Sequence, residues 1–142
     1  MGFIGPSGPG CGLSDSIAVE KRWVHPIGDI PLDQGAMVEA LEVAVHAIKH
    51  ADADEGQVAV VGGAGPIGLL TAAMLRPKGV KTILIEVFAA TRSKAPTSGV
   101  ADVVADPVAE DLAAVVAKHT DGAGADVAFD AAGGRPPVVD QL

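Results

Sequence analysis

Six residues, Gly63-Ala64-Gly65-Pro66-Ile67-Gly68, stand between the apolar run Val58-Ala59-Val60-Val61 and a helix-like stretch from Leu69 to Leu75, and Glu86 closes the next apolar run. Glycines at this spacing, leaving a strand and opening a helix, suit the binding of a dinucleotide's diphosphate. Gly63 permits the tight turn out of the strand, Gly65 lets main chain approach the pyrophosphate, and Gly68 lets helix and strand pack closely. The first helical turn has N–H groups without intrahelical acceptors. Amides around Pro66, Ile67 and Gly68 can therefore converge on an anion at the positive end of the helix dipole. Hydrogen bonds to a charged group contribute about 1.5–3 kcal/mol each, so two or three supply much of a micromolar affinity.

Glu86 lies 21 positions after Gly65, at the carboxyl end of the second strand. A carboxylate there accepts from ribose hydroxyls and repels a 2'-phosphate, which favours NAD over NADP. Arg92, six residues on, is the counterweight. Its guanidinium could accommodate that phosphate, or it could be a solvated helix charge.

The surrounding pattern supplies the elements that place these groups. Gln57 to Gly62 reads as a strand, Ile67 to Arg76 as a helix stopped by Pro77, and Thr82 to Glu86 as a second strand. A helix around Ala90 to Ala95 must kink or end at Pro96. Asp102 to Asp106 reads as a third strand, Val108 to His119 as a helix, and Asp126 to Asp130 as a fourth strand. In the helix of that group, Glu110 and Asp111 sit at the positive end and Lys118 and His119 at the negative end. Strands alternating with helices of this length imply right-handed parallel crossovers and a doubly wound α/β sheet. Upstream, Met37, Leu41, Ala44, Val45 and Ile48 recur at helical spacing, predicting a helix over 33–50 with Asp33 as N-cap. Ile17-Ala18-Val19 and Trp23-Val24 suggest one or two strands ending near Pro26, and residues 1–12, rich in Gly and Pro, read as irregular.

Composition limits the partners. The chain has 142 residues, 49% of them hydrophobic, and a net charge of -8, which repels phosphate backbones and anionic membrane surfaces. Neither nucleic acid nor membrane is expected. A single cysteine, Cys11, allows no internal disulfide and fits a reducing compartment, so the cytoplasm is the expected location. Val58 to Leu75 carries no charge, yet its glycines and Pro66 divide it into a buried strand and a helix start rather than a membrane span. Methyltransferases that bind S-adenosylmethionine also use a Gly-rich first loop, but the two residues before Gly68 favour a dinucleotide.

From about Gly12 to Gly133 the chain resembles the zinc-dependent medium-chain alcohol and polyol dehydrogenases, and among them the 2,3-butanediol and sorbitol dehydrogenases. The resemblance is carried by Gly12-Leu13-Ser14, Val24-His25-Pro26, Gly35-Ala36-Met37-Val38-Glu39, the glycine hexapeptide, and Gly124-Ala125-Asp126-Val127-Ala128-Phe129-Asp130-Ala131-Ala132-Gly133. It implies a GroES-like catalytic domain joined to a Rossmann domain, a catalytic zinc, and hydride transfer between a secondary alcohol and nicotinamide. On that pattern residues 1–32 are the end of the catalytic domain, 33–55 a connecting helix, and 56–142 the first part of the Rossmann domain. Glu39 takes the place of the family glutamate that reaches the zinc, and Val87 and Ala132 take places that flank the adenine. Without the family, Glu39 reads as a solvated helix-face acid sooner than as a metal ligand. Ala40 replaces the proline usual after that glutamate.

The family's first zinc-binding cysteine and its His-Glu pair have no counterpart in this sequence, and Cys11 has no ligand spacing to His25, His46 or Glu39. The expectation is one part of an NAD-linked alcohol or diol dehydrogenase, inactive as this chain alone. The alternative is a nucleotide-binding remnant or interaction module without chemistry. A zinc-free quinone or enoyl reductase is disfavoured by Glu39 and by the three-glycine spacing. With only four strands of the expected 3-2-1-4-5-6 order, Val127-Ala128-Phe129 would form an open apolar edge, so self-association is expected.

Overall fold

The computed structural model describes residues 14–133, which divide after Gly35 into two compact units. Cys11, Gly12-Leu13 and Pro136-Pro137 lie outside the described residues.

In the first unit, residues 14–31 form no strand; a single 3-10 turn, Lys21–Trp23, interrupts irregular chain. This corrects the expected strands. Ile17, Trp23 and Val24 are all exposed, and an extended run with neither a pairing strand nor an apolar layer to cover it gains nothing over water. Helix α1, Leu32–Gly35, closes the unit. The continuous helix expected over 33–50 is thus broken. Asp33 lies inside α1 rather than capping a longer helix, because Gly35 disfavours helix by about 1 kcal/mol relative to Ala. A Cβ on Gly35 would stand 2.8 Å from Ile27 Cδ1, the end of a side chain that a rotamer change moves aside.

The second unit opens with α2, Val38–Ala51, whose Met37 N-cap makes no side-chain cap hydrogen bond. Strands β1 (Val58–Gly62), β2 (Lys81–Ile85), β3 (Val103–Ala105) and β4 (Val127–Asp130) form a parallel sheet in the order β3-β2-β1-β4. Register is pinned at the strand starts: Asp126 Oδ2 accepts from the Val58 N–H at 2.8 Å, and Asp102 Oδ2 from the Thr82 N–H at 2.7 Å. Each aspartate N–H returns a bond to the carbonyl of the residue it clips, so the clips work as pairs.

Alternate residues of the strands face two cores, as sheet geometry demands. Ala59, Val61, Leu84 and Phe129 pack with Ile48 of α2 and with Leu75 of α3 (Pro66–Leu75). Val60, Ile83, Ile85 and Ala105 pack with Leu112 of α6 (Leu112–His119). Helices therefore cover both faces, the doubly wound arrangement expected from sequence. Each fully buried Leu or Ile contributes about 1.5–3 kcal/mol. Helix α3 has no charged residue and stays unexposed along Gly68, Thr71, Ala72 and Leu75 because it lies between the sheet and α2.

Several element bounds differ from expectation for local reasons. Pro77 does not terminate α3 directly; it sits in a 3-10 turn, Arg76–Lys78, that tightens the helix end. Pro96 starts α5 (Ala95–Ser98) rather than ending α4 (Ala89–Arg92), since proline is tolerated in a first turn. Helix α6 begins four residues later than expected, at Leu112, because Asp111 caps it by accepting from the Ala114 N–H at 3.3 Å. Glu110 is diverted to the Asp106 N–H at 2.7 Å. The Lys81 ammonium donates to the His119 carbonyl at 3.0 Å, placing a cation on the negative end of α6.

Candidate functional site

The glycine bend joins β1 to α3 at the carboxyl edge of the sheet. On leaving β1 the chain continues to β2 and β3 on one side and only later to β4 on the other, so the bend sits where the winding reverses. Open α/β sheets bind ligands outside the carboxyl ends of their strands at that point.

The three glycines answer to three different constraints. Gly63 has φ +96°, and a Cβ there would lie 2.9 Å from both Cα and N of Ala132. Gly68 has no room at all: its Cβ would fall on the Gly63 carbonyl oxygen. Gly65 is the opposite case, with φ -72° and ψ -178°, allowed to any residue, and no atom within 4 Å of an added Cβ. Packing does not demand glycine at 65; an approaching ligand would.

The amides of the bend divide in the same way. The Gly63 N–H donates to the Ile85 carbonyl at 2.7 Å and the Ala64 N–H to Glu86 Oε2 at 2.9 Å. Leu69 is the first α3 residue to donate within the helix ladder, to the Gly65 carbonyl at 2.9 Å. Among the described residues, the N–H groups of Gly65, Ile67 and Gly68 have no protein acceptor. Pro66 supplies no donor; its ring sets the φ of the first helical residue.

Glu86 lies just beyond β2 and is only 7% exposed. Besides the bond from Ala64, its Oε1 accepts from the Phe88 N–H at 2.8 Å. The carboxylate thus fastens the glycine bend to the chain leaving β2. An ionised carboxylate has about four lone-pair sites, so two remain for hydroxyl donors. Val87 is exposed beside it, and Ala132, also exposed, lies against Gly63 beyond β4. The bend, Glu86, Val87 and Ala132 are therefore gathered at one edge.

Arg92, in α4, is not a free surface charge. Its Nη1 donates to the Glu86 and Val87 carbonyls at 2.7 and 3.0 Å, and Nη2 pairs with Asp106 Oδ2 at 2.5 Å. The sequence shows Asp106 as an acid at the end of a strand but gives no sign of this partner, because the ion pair depends on β2 and β3 lying side by side.

Glu39 occupies the first turn of α2 and is exposed. No group of three or more His, Cys, Asp or Glu side chains among the described residues is placed to hold a metal ion. These residues do not fit a catalytic zinc, and the structure does not join Glu39 to the glycine bend. His46 and His50 lie side by side on α2 with ring centroids 4.8 Å apart and planes tilted by 32°, both exposed. A cavity of about 550 Å³ lies elsewhere again, between α6 and the start of β4, lined by Val60, Leu112, Val116 and Ala128. It adjoins the outer edge of β4, where no described strand pairs.

The zinc-binding dehydrogenase family profile matches residues 66–142, more than half of the chain. The chain belongs to that family. An (R,R)-butanediol dehydrogenase of Neisseria gonorrhoeae is 55% identical over 92% of this chain, which spans 37% of that relative. Among solved structures, an Escherichia coli oxidoreductase/dehydrogenase of unknown specificity is 32% identical with a TM-score of 0.67, over 75% of this chain and 30% of its own. A short-chain alcohol dehydrogenase from Escherichia coli CFT073, complexed with cofactor NADH, is 25% identical with a TM-score of 0.67, over 79% of this chain and 33% of its own. The chain thus spans well under half the length of these relatives, and the portion it matches has the Rossmann-type fold. No helix among the described residues is long and apolar enough to cross a membrane.

Proposed function

We propose that this chain forms the adenosine-diphosphate half of the coenzyme site in an NAD-linked alcohol or diol dehydrogenase. The reading rests above all on Gly65, whose open face lies beside the free amides of Ile67 and Gly68 at the winding reversal. In this reading those amides hold the diphosphate, Glu86 accepts from the adenosine ribose, and Val87 and Ala132 flank the adenine. NAD, when bound, supplies the acceptor for a hydride from a secondary alcohol. The bend orients it. Arg92, held by Asp106 and two carbonyls, favours NAD over NADP further. The alcohol substrate class follows from the butanediol dehydrogenase relative, and the zinc centre with Glu39 would need ligands beyond the described residues. The setting we infer is the cytoplasm, and the open edge of β4 supports association between copies.

A second reading, a nucleotide-binding module without chemistry, is supported by the isolation of Glu39. Calorimetric titration with NAD and NADP, on the unmodified chain and on Glu86→Lys, tests the cofactor assignment. We expect NAD to bind more tightly than NADP and the substitution to weaken NAD. Indifference to the substitution would remove the ribose role of Glu86. NAD-dependent oxidation of butanediol by this chain alone would exclude the module.

A further inference from the structure

We propose that Asp106 is a positioning residue for coenzyme selectivity: by engaging Arg92 it withholds from a ribose 2'-phosphate the guanidinium that lies beside Glu86. The proposal rests on the nucleotide reading above.

Two observations carry it. First, three of the five N–H donors of Arg92 are engaged. Both hydrogens of Nη1 are used by the Glu86 and Val87 carbonyls, and Nη2 is paired to Asp106, with the two side chains only 22% and 20% exposed. A pair so shielded is screened less than a surface pair, and its planar fork is geometrically fixed. Second, Asp106 is itself held in place. Its N–H donates to Glu110 Oε1 at 2.7 Å and its Oδ1 accepts from the Val108 N–H at 3.0 Å. The carboxylate is thus anchored by the loop between β3 and α6 and does not follow Arg92 if the arginine swings out. A phosphate arriving beside Glu86 would meet two carboxylates and a guanidinium already neutralised by one of them. Arg92 is the very residue that the sequence offers as a 2'-phosphate partner, and Asp106 reverses that assignment from the neighbouring strand.

The probes are 5'-AMP and adenosine 2',5'-bisphosphate, which differ only in the 2'-phosphate, titrated into the full chain. The unmodified chain should prefer 5'-AMP. Asp106→Asn should shift the affinity ratio toward the bisphosphate by about tenfold, the scale of one charge-assisted hydrogen bond to the phosphate. Asp106→Glu should keep the parent ratio, and adding Arg92→Ala to Asp106→Asn should cancel the shift. Comparison of the double variant with Arg92→Ala alone, which differ only in the charge at 106, separates a released arginine from the mere removal of a negative charge: release predicts the same ratio in both, charge removal a shift between them. Arg92→Ala alone should leave the ratio unchanged; a selective loss of bisphosphate binding there would show that Arg92 already serves the phosphate and would overturn the proposal, even if Asp106→Asn did not fold. A ratio unmoved by Asp106→Asn, or a shift that survives loss of Arg92, would overturn it as well. If 5'-AMP failed to bind the unmodified chain, the nucleotide reading would fall and the proposal with it. If 5'-AMP bound but the ratio stayed fixed, the proposal alone would fall.

Discussion

The glycine bend and the first turn of α2 both present residues that the sequence marks as functional, yet the fold treats them differently. At the bend, residues from β1, β2 and the chain beyond β4 meet: Glu86 fastens Ala64, Ala132 abuts Gly63, and free amides remain beside the open face of Gly65. Around Glu39 no set of metal-ligating side chains converges among the described residues. A dinucleotide's diphosphate needs only main chain in one conformation, and a short strand-turn-helix segment supplies it. A metal needs three or four side chains brought together from separate places. One segment of chain can contain the first kind of site whole and only a single member of the second.

The contrast can be broken most severely at Gly68. Gly68→Ala would drive a Cβ into the Gly63 carbonyl, a backbone atom that cannot turn aside, and should cost about 3 kcal/mol. Chemical denaturation would show this as a lowered midpoint; unchanged stability would mean that the helix does not sit on the turn. Glu86→Gln comes next. Its amide can accept from only one of the Ala64 and Phe88 N–H groups, so a loss of about 1–3 kcal/mol is expected in the same measurement.

Gly65→Ala sharpens the contrast within the bend itself. With nothing within 4 Å of the new methyl, stability should change by less than about 0.5 kcal/mol. Affinity for ADP, measured by calorimetry, should nevertheless fall by about tenfold or more as the methyl occupies the space of the diphosphate. Equal losses of stability and affinity would argue that Gly65 serves packing instead. The smallest effect belongs to Glu39→Gln, at an exposed site, where both thermal stability and ADP affinity should stay within error. A clear loss of either would reveal a contact for Glu39 at the nucleotide site.

Much of this was legible in the residues because the information was local. Glycine spacing, the apolar runs of β1 and β2, and the acid after β2 all lie within one βαβ unit, and the parallel order followed from alternation. The part that was not legible is non-local. Asp106 finds Arg92 only because β3 lies beside β2, and Glu86 turns out to be a clamp on Ala64 as well as a candidate ribose acceptor. The strands expected from Ile17-Ala18-Val19 and Trp23-Val24 failed for a related reason. Apolar character suggests a strand, but a strand persists only where a neighbour accepts its hydrogen bonds, and no described residue does so there. Pro96 misled as a helix terminator because the same residue is welcome one turn later as a helix starter.

The most direct test of the central claim is an amide-resolved NMR titration of the chain with ADP, which carries the diphosphate without the nicotinamide. Saturable shifts should be largest at the N–H groups of Gly65, Ile67 and Gly68, with smaller ones at Glu86 and Val87. Shifts gathered instead along α6 and the start of β4, with the bend unmoved, would contradict the assignment of the diphosphate to the glycine bend.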